Sequence, residues 1–163
     1  MADYYTHMVL HQDLPLADIT PLEKLVLAEV FETQEHDGTL SCFAWDGVND
    51  VPSLSVAAVR ETFARPNDQA SRLHDLVAKT IENVAAETNT FDLDLSLEGY
   101  AFILQDIVRR SATLTHVSLA AAFTCSKMRT DGFGGMVTLI TPDEILSEST
   151  DGLLERWLAD AFP

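Results

Sequence analysis

The sequence predicts a single α+β domain spanning residues 1–163, with a mainly antiparallel sheet centred on a C-terminal hairpin and with helices packed against it. Three observations lead there. Between Ala112 and Pro142 the only charged residues are Lys127, Arg129 and Asp131, gathered in the middle, so two uncharged runs flank a polar turn as in a buried β-hairpin. Strand and helix periodicities follow one another in the order β-α-β-α-α-α-β-β-α. No fixed-period repeat, low-complexity tract or long linker divides the 163 residues, and a hydrophobic content of 47% suffices for a substantial core.

The first strand is Tyr4–Leu10, which alternates with β-favouring residues until Asp13, Leu14 and Pro15 break it. Thr20, Pro21 and Glu23 then provide an N-cap, a first helical position with fixed φ and a reciprocal acceptor for the cap amide, a strong helix start. Leu22, Leu25, Val26 and Val30 give that helix its apolar face, and it should stop near Thr33. His36–Gly38 is a turn, Leu40–Trp45 a strand, and Asp46–Gly47 a second turn. Ser53 or Ser55 caps a short helix to about Ala64, ended by Arg65 and Pro66 because proline disfavours helical geometry in the residue before it. Asn67 or Asp68 caps a longer helix with Leu73, Leu76, Val77, Ile81 and Val84 on one stripe, fading near Thr88.

Phe91–Leu97 alternates with period two but is short, and it reads as an extended linker in preference to an edge strand. Ser96 then caps a helix carrying Leu97, Tyr100, Leu104, Ile107 and Val108, closed by Arg109 and Arg110 at the negative end of its dipole. The hairpin strands are Thr115–Thr124 and Gly135–Thr141, expected at the centre of the sheet with both faces covered. Ser118, Ala120 and Ala122 put small residues on one face of the first of them, leaving room for a close helix or a second subunit. Asp143 and Glu144 suit the first turn of a short helix. Ser149 and Thr150 cap a last helix that should bury Leu153, Leu154, Trp157, Leu158 and Ala161.

Ten basic and 26 acidic residues give a net charge of −16, with −17 outside the hairpin region. Such a field repels nucleic-acid phosphates and anionic lipid, so neither direct nucleic-acid binding nor membrane binding is expected. Met1–Tyr5 does not begin a secretory or transit segment, and no apolar run approaches the roughly 20 residues that span a bilayer, which predicts a cytoplasmic protein. Cys42 and Cys125 fall in expected strands without C-x-x-C spacing and read as buried thiols.

Candidate binding residues are Lys127, Arg129, His116, Cys125 and His7. Lys127 and Arg129 flank a glycine-rich loop, Arg129–Gly135. A strand follows that loop, where phosphate-cradling loops lead into a helix, so a hairpin turn with glycines at positive φ is the better reading and an anion held by the two cations the lesser one. His7 and His11 would stand roughly 13 Å apart along a strand, too far to share a metal. His116 and Cys125 lie at opposite ends of one strand. Asp92, Asp94 and Glu98 lack the spacing of a calcium loop and read as solvated. Neither catalytic residues nor a metal or cofactor are predicted, since hydrolase, zincin, Walker and Rossmann signatures are missing.

The segment Phe123–Met136 resembles part of hypothetical proteins from bacterial plasmids and other accessory-genome regions. That resemblance implies a bacterial origin and assigns no functional residue. Three functional classes follow: a non-enzymatic acidic domain working through protein contacts, with homodimerisation expected; a DNA mimic occupying a basic groove; and a small-molecule enzyme with a Cys/His site.

Overall fold

Alternation in the N-terminal segment yields strand β1 (Tyr4–Leu10), with Met8 and Leu10 buried and Val9 between them exposed. The computed structural model describes residues 2–65, 71–85, 87–96 and 99–162. After the two-residue strand β2 (Leu14–Pro15) and a 3-10 turn at Leu16–Asp18, the capping box opens helix α1 (Pro21–Val30). The Thr20 amide donates to Glu23 Oε2 at 2.9 Å and the Glu23 amide to Thr20 Oγ1 at 3.2 Å.

Helix α1 ends earlier than Thr33, because Glu32–His36 forms strand β3 and pairs with β4 (Thr39–Ala44). The two-residue connection places Asp37 at φ 47° and Gly38 at φ 81°, the doubly left-handed turn whose twist suits a hairpin. A short strand β5 (Ser53–Ser55) runs into α2 (Val56–Ala64), for which Ser55 is the N-cap; Arg65, ahead of the proline, is extended. Helix α3 (Arg72–Ile81) follows. Of the expected caps, Asn67 and Asp68 lie outside the described residues, and the N-cap position belongs to Ser71, whose hydroxyl donates to Glu23 Oε1 at 2.8 Å. The first amide of α3 is satisfied from outside its own helix: Arg72 N–H donates to Asp106 Oδ2 at 2.8 Å.

The 91–97 segment is only partly the expected linker. Thr90–Asp92 is strand β6, paired antiparallel with β5 in a separate two-stranded sheet, and the alternation buries Phe91, Leu93 and Leu95. Helix α4 (Ala101–Arg110) starts after Tyr100 without a side-chain cap, since the Ser96 hydroxyl is committed to Asp94 Oδ1 at 2.5 Å. Residues Phe102 to Val108 of α4 are all buried, including Gln105 and Asp106. Those two reach Thr141 O and the Arg72 guanidinium, so the apolar centre of the fold contains a bonded polar stitch.

The hairpin is β7 (Val117–Cys125) and β8 (Gly134–Ile140), and a further strand β9 (Ile145–Ser149) occupies the place of the expected short helix. Thr141 brackets the turn there: its amide donates to Glu144 O at 2.9 Å and its hydroxyl accepts from Glu144 N–H at 3.0 Å, reversing the chain into an antiparallel ladder. The large sheet runs β2-β4-β1-β7-β8-β9, with β3 also paired to β4 and every pairing antiparallel. This is an α+β fold, with β7 central as expected. Helix α5 (Thr150–Ala161) begins at Ser149, whose hydroxyl accepts from Gly152 N–H at 3.0 Å. It buries no residue, contrary to expectation.

Candidate functional site

Cross-strand partners share a face, so the register sorts the sheet into two sides. On the covered side Met8, Leu10, Val117, Leu119, Ala121 and Ile140 join helices α1, α3 and α4 in one core cluster. On the other side, among the described residues, only the start of α5 approaches the sheet, at its β8–β9 edge. There the register gives one row of Phe43, Val9, Ala120 and Val137, bordered by Glu32 on β3 and Glu148 on β9, and a second of His7, Ala122 and Gly135, with Trp45 just past β4 against His7. A third row carries Ser118, Leu139 and Leu146. The expectation that both faces of the hairpin are covered therefore fails. Val137 is 58% exposed, Leu139, which the sequence placed in the core, is 38% exposed, and Trp45 is 65% exposed.

The middle of this face is low because Ala120, Ala122 and Gly135 supply at most one side-chain carbon each. Gly135 is required there by close approach: a Cβ would stand 2.9 Å from the Ala121 carbonyl oxygen. Trp45, Phe43 and Val9 bound a trough of about 420 Å³ above the alanines, and a second depression of about 270 Å³ continues from Ala120 and Gly135 to Leu153 of α5. The polar groups are few. His7 stacks on Tyr5 with ring centroids 6.3 Å apart and meets Trp45 edge-on at 5.8 Å, and its Nδ1 is buried with no hydrogen-bond partner among the described residues. Glu148, at the β9 border, pairs with Arg156 at 2.6 Å.

The five candidate residues do not converge. His7 lies opposite Ala122 on the uncovered face, whereas Cys125 is buried at the end of β7 on the covered one, so the sheet separates them. His116 is exposed ahead of β7, with Nδ1 3.1 Å from the Thr115 hydroxyl. Arg129 donates to Asp131 at 3.1 Å; that hydrogen bond raises the guanidinium pKa and holds the Asp131 carboxyl below its ordinary range. Arg129 is engaged by its own neighbour, and exposed Lys127 has no ion-pair partner among the described residues. Gly132 in this turn is needed for a reason other than the expected one: its φ is not positive, and a Cβ there would meet Cys125 Cβ at 2.7 Å.

Burial pushes the Cys42 thiol up to about 12, with Asp13 adding to the effect, so the thiol stays protonated and unreactive. The Tyr100 hydroxyl, which meets Met8 Sδ at 3.1 Å, is likewise raised by burial to about 12. Among the described residues no group of three His, Cys, Asp or Glu side chains could hold a metal ion. Exposed carboxylates are spread over many elements, with Glu32 and Glu35 on β3, Glu61 on α2, Asp75 on α3 and Glu155 on α5, a distribution unlike a single phosphate-spaced strip. No described helix is long and apolar enough to cross a membrane.

The uncovered face was half legible. Ser118, Ala120 and Ala122 already marked it as small and uncharged, but its aromatic border at Phe43 and Trp45 could not be placed beside it without the β1–β4 register. No protein-family model matches the chain, and no curated protein or solved structure does.

Proposed function

We propose that the protein acts through protein contact, as a self-associating module whose interface is the uncovered face of its large sheet. One observation carries this reading: in a chain of net charge −16, the rows of this face contain no Lys, Arg, Asp or Glu across β4, β1, β7 and β8, and the register meets carboxylates only at the borders, Glu32 on β3 and Glu148 on β9. Large exposed apolar patches on soluble proteins mark sites of association, and this one spans four strands. A basic partner finds carboxylates only at the borders, where Glu32 accepts from the Trp45 amide and Glu148 pairs with Arg156, whereas a second uncharged surface of the same chain meets the middle of the face without desolvating a charge. The scattered candidate polar groups give an enzymatic site no common floor.

The test is sedimentation velocity over about 1–100 μM, a span that brackets micromolar association. Reversible dimerisation weakened by Val137→Lys, at a position already exposed, supports the reading. A strict monomer throughout refutes it.

A further inference from the structure

Two apolar surfaces of this chain lack a partner, and they are complementary in shape. One is the trough floored by Ala120, Ala122 and Gly135. The other is the stripe of α5, where Leu153, Leu154, Trp157, Leu158 and Ala161 recur at i, i+1, i+4, i+5 and i+8 and so share one side of the helix. Leu153 touches the edge of its own sheet's depression, but Trp157 is 59% exposed and Phe162, just beyond the helix, 77%.

We propose that α5 of one copy lies across the trough of a second copy, and the reverse, in a closed two-fold dimer. This rests on the reading that the uncovered face is an interface, and it names the segment that covers it. The dimensions agree: a helix of 12 residues is about 18 Å long, and three strand spacings from β8 to β4 are about 14 Å. A floor with almost no side chains admits a helix closely, and the borders at Trp45 and Val137 flank it. The polar side of α5, with Asp151, Glu155 and Asp160, then stays in water, while Arg156 keeps its bond to Glu148.

Three further points favour a second copy over the chain's own helix. The start of α5 is fixed to the sheet end, since Gly135 N–H donates to Thr150 Oγ1 at 3.2 Å and Arg156 is tied to Glu148, and from that start the stripe remains exposed. Each chain supplies one helix and one trough, so a single reciprocal exchange uses both and closes without leaving a surface for further growth. The exposed parts of the large side chains on the two surfaces come to on the order of 1,000 Å² per chain, given ~150–250 Å² for an aromatic residue; a dimer burying about twice that reaches the range of stable interfaces.

The experiment introduces Ala122→Cys into one chain and Leu154→Cys or Leu158→Cys, one turn apart, into another, and mixes them under mild oxidation. A disulfide-linked dimer forming in the mixture is the expected result, together with a Kd raised at least about 30-fold by Trp157→Glu, the size of a central contact's loss. Because no residue of α5 is fully buried and only its first two turns touch β8 and β9, a chain ending at Ser149 should fold and remain monomeric, checked by its thermal melt. A truncated chain that still dimerises, or Ala122→Cys chains that link to one another face to face, overturns the helix exchange while leaving the interface reading intact. An intrachain link in an Ala122→Cys/Leu158→Cys chain at low concentration assigns the trough to the chain's own helix and also overturns it. A wild-type protein that is monomeric at every concentration refutes both.

Discussion

Arg110→Ala should be among the most damaging single changes outside the apolar core, although Arg110 looks from the sequence like a helix-end charge. Its guanidinium meets the carboxylate of Glu23, which is fully buried, and its Nε donates to Asp18 O at 2.7 Å. Glu23 also accepts from the Thr20 amide at 2.9 Å and the Ser71 hydroxyl at 2.8 Å, so one carboxylate ties the start of α1 to the start of α3 and the end of α4. Truncating the arginine leaves that charge in the interior without its cation, a loss of about 3–5 kcal/mol. Against a stability of about 5–15 kcal/mol the variant should still fold, and at about 2–4 °C per kcal/mol for a chain of this size its Tm should fall by about 6–20 °C. Urea unfolding followed by circular dichroism gives the difference directly, with Arg65→Ala as control. Arg65 pairs with Glu61 at 2.5 Å but in the open, where such a pair contributes under about 1 kcal/mol. Glu23→Gln in the Arg110→Ala background should recover part of the loss, because it removes the stranded charge and keeps an acceptor for Thr20. The reasoning is refuted if Arg110→Ala and Arg65→Ala cost the same, or if Glu23→Gln adds its full penalty to that of Arg110→Ala.

Other changes test separate features. Gly135→Ala should destabilise by about 1–3 kcal/mol in the same urea assay, since its Cβ is forced against a backbone oxygen that cannot move cheaply. Phe123→Ala should cost less than the about 3–5 kcal/mol of a fully buried phenylalanine, because Phe123 packs on the core only partly buried; a loss in that full range would contradict its position. Cys42 and Tyr100 are both protonated in the native state to about pH 12 while their unfolded values are 9.0 and 10.0, so the unfolded chain releases protons first and stability should fall as pH rises above about 9. Cys42→Ala should flatten that alkaline decline, measured as urea midpoints between about pH 8 and pH 10.5, and below pH 8 neither group should contribute any slope. Cys42 in the native protein should resist iodoacetamide at pH 8 and become reactive only in denaturant.

Local chemistry was legible wherever a few neighbouring residues decide the backbone. Thr20, Pro21 and Glu23 specify a helix start by filling its orphan amides, Asp37 and Gly38 specify a turn by admitting positive φ, and the alternation through β1 and β7 specifies strands with Met8 and Val117 inward. The short strands β5 and β6 were missed because three-residue ladders draw their stability from a partner far along the chain, here Ser53 with Asp92, and β9 was missed because Asp143 and Glu144 after a proline suit a helix start as well as the turn that returns the chain beside β8. The start of α3 escaped as β5 and β6 did, its first amide being satisfied by a carboxylate 34 residues away.

An acidic α+β chain with an uncharged central hairpin could be read from the residues alone, because charge, periodicity and capping are properties of adjacent residues. What it could not determine is which uncharged surfaces meet. Period-two and helical patterns state that a face is apolar, not that anything lies on it, so Leu139 and the stripe of α5 read as core and are in fact open. The answer came from how the elements assemble, with helices α1, α3 and α4 on one side of the sheet and Trp45, Val137 and Trp157 left in water.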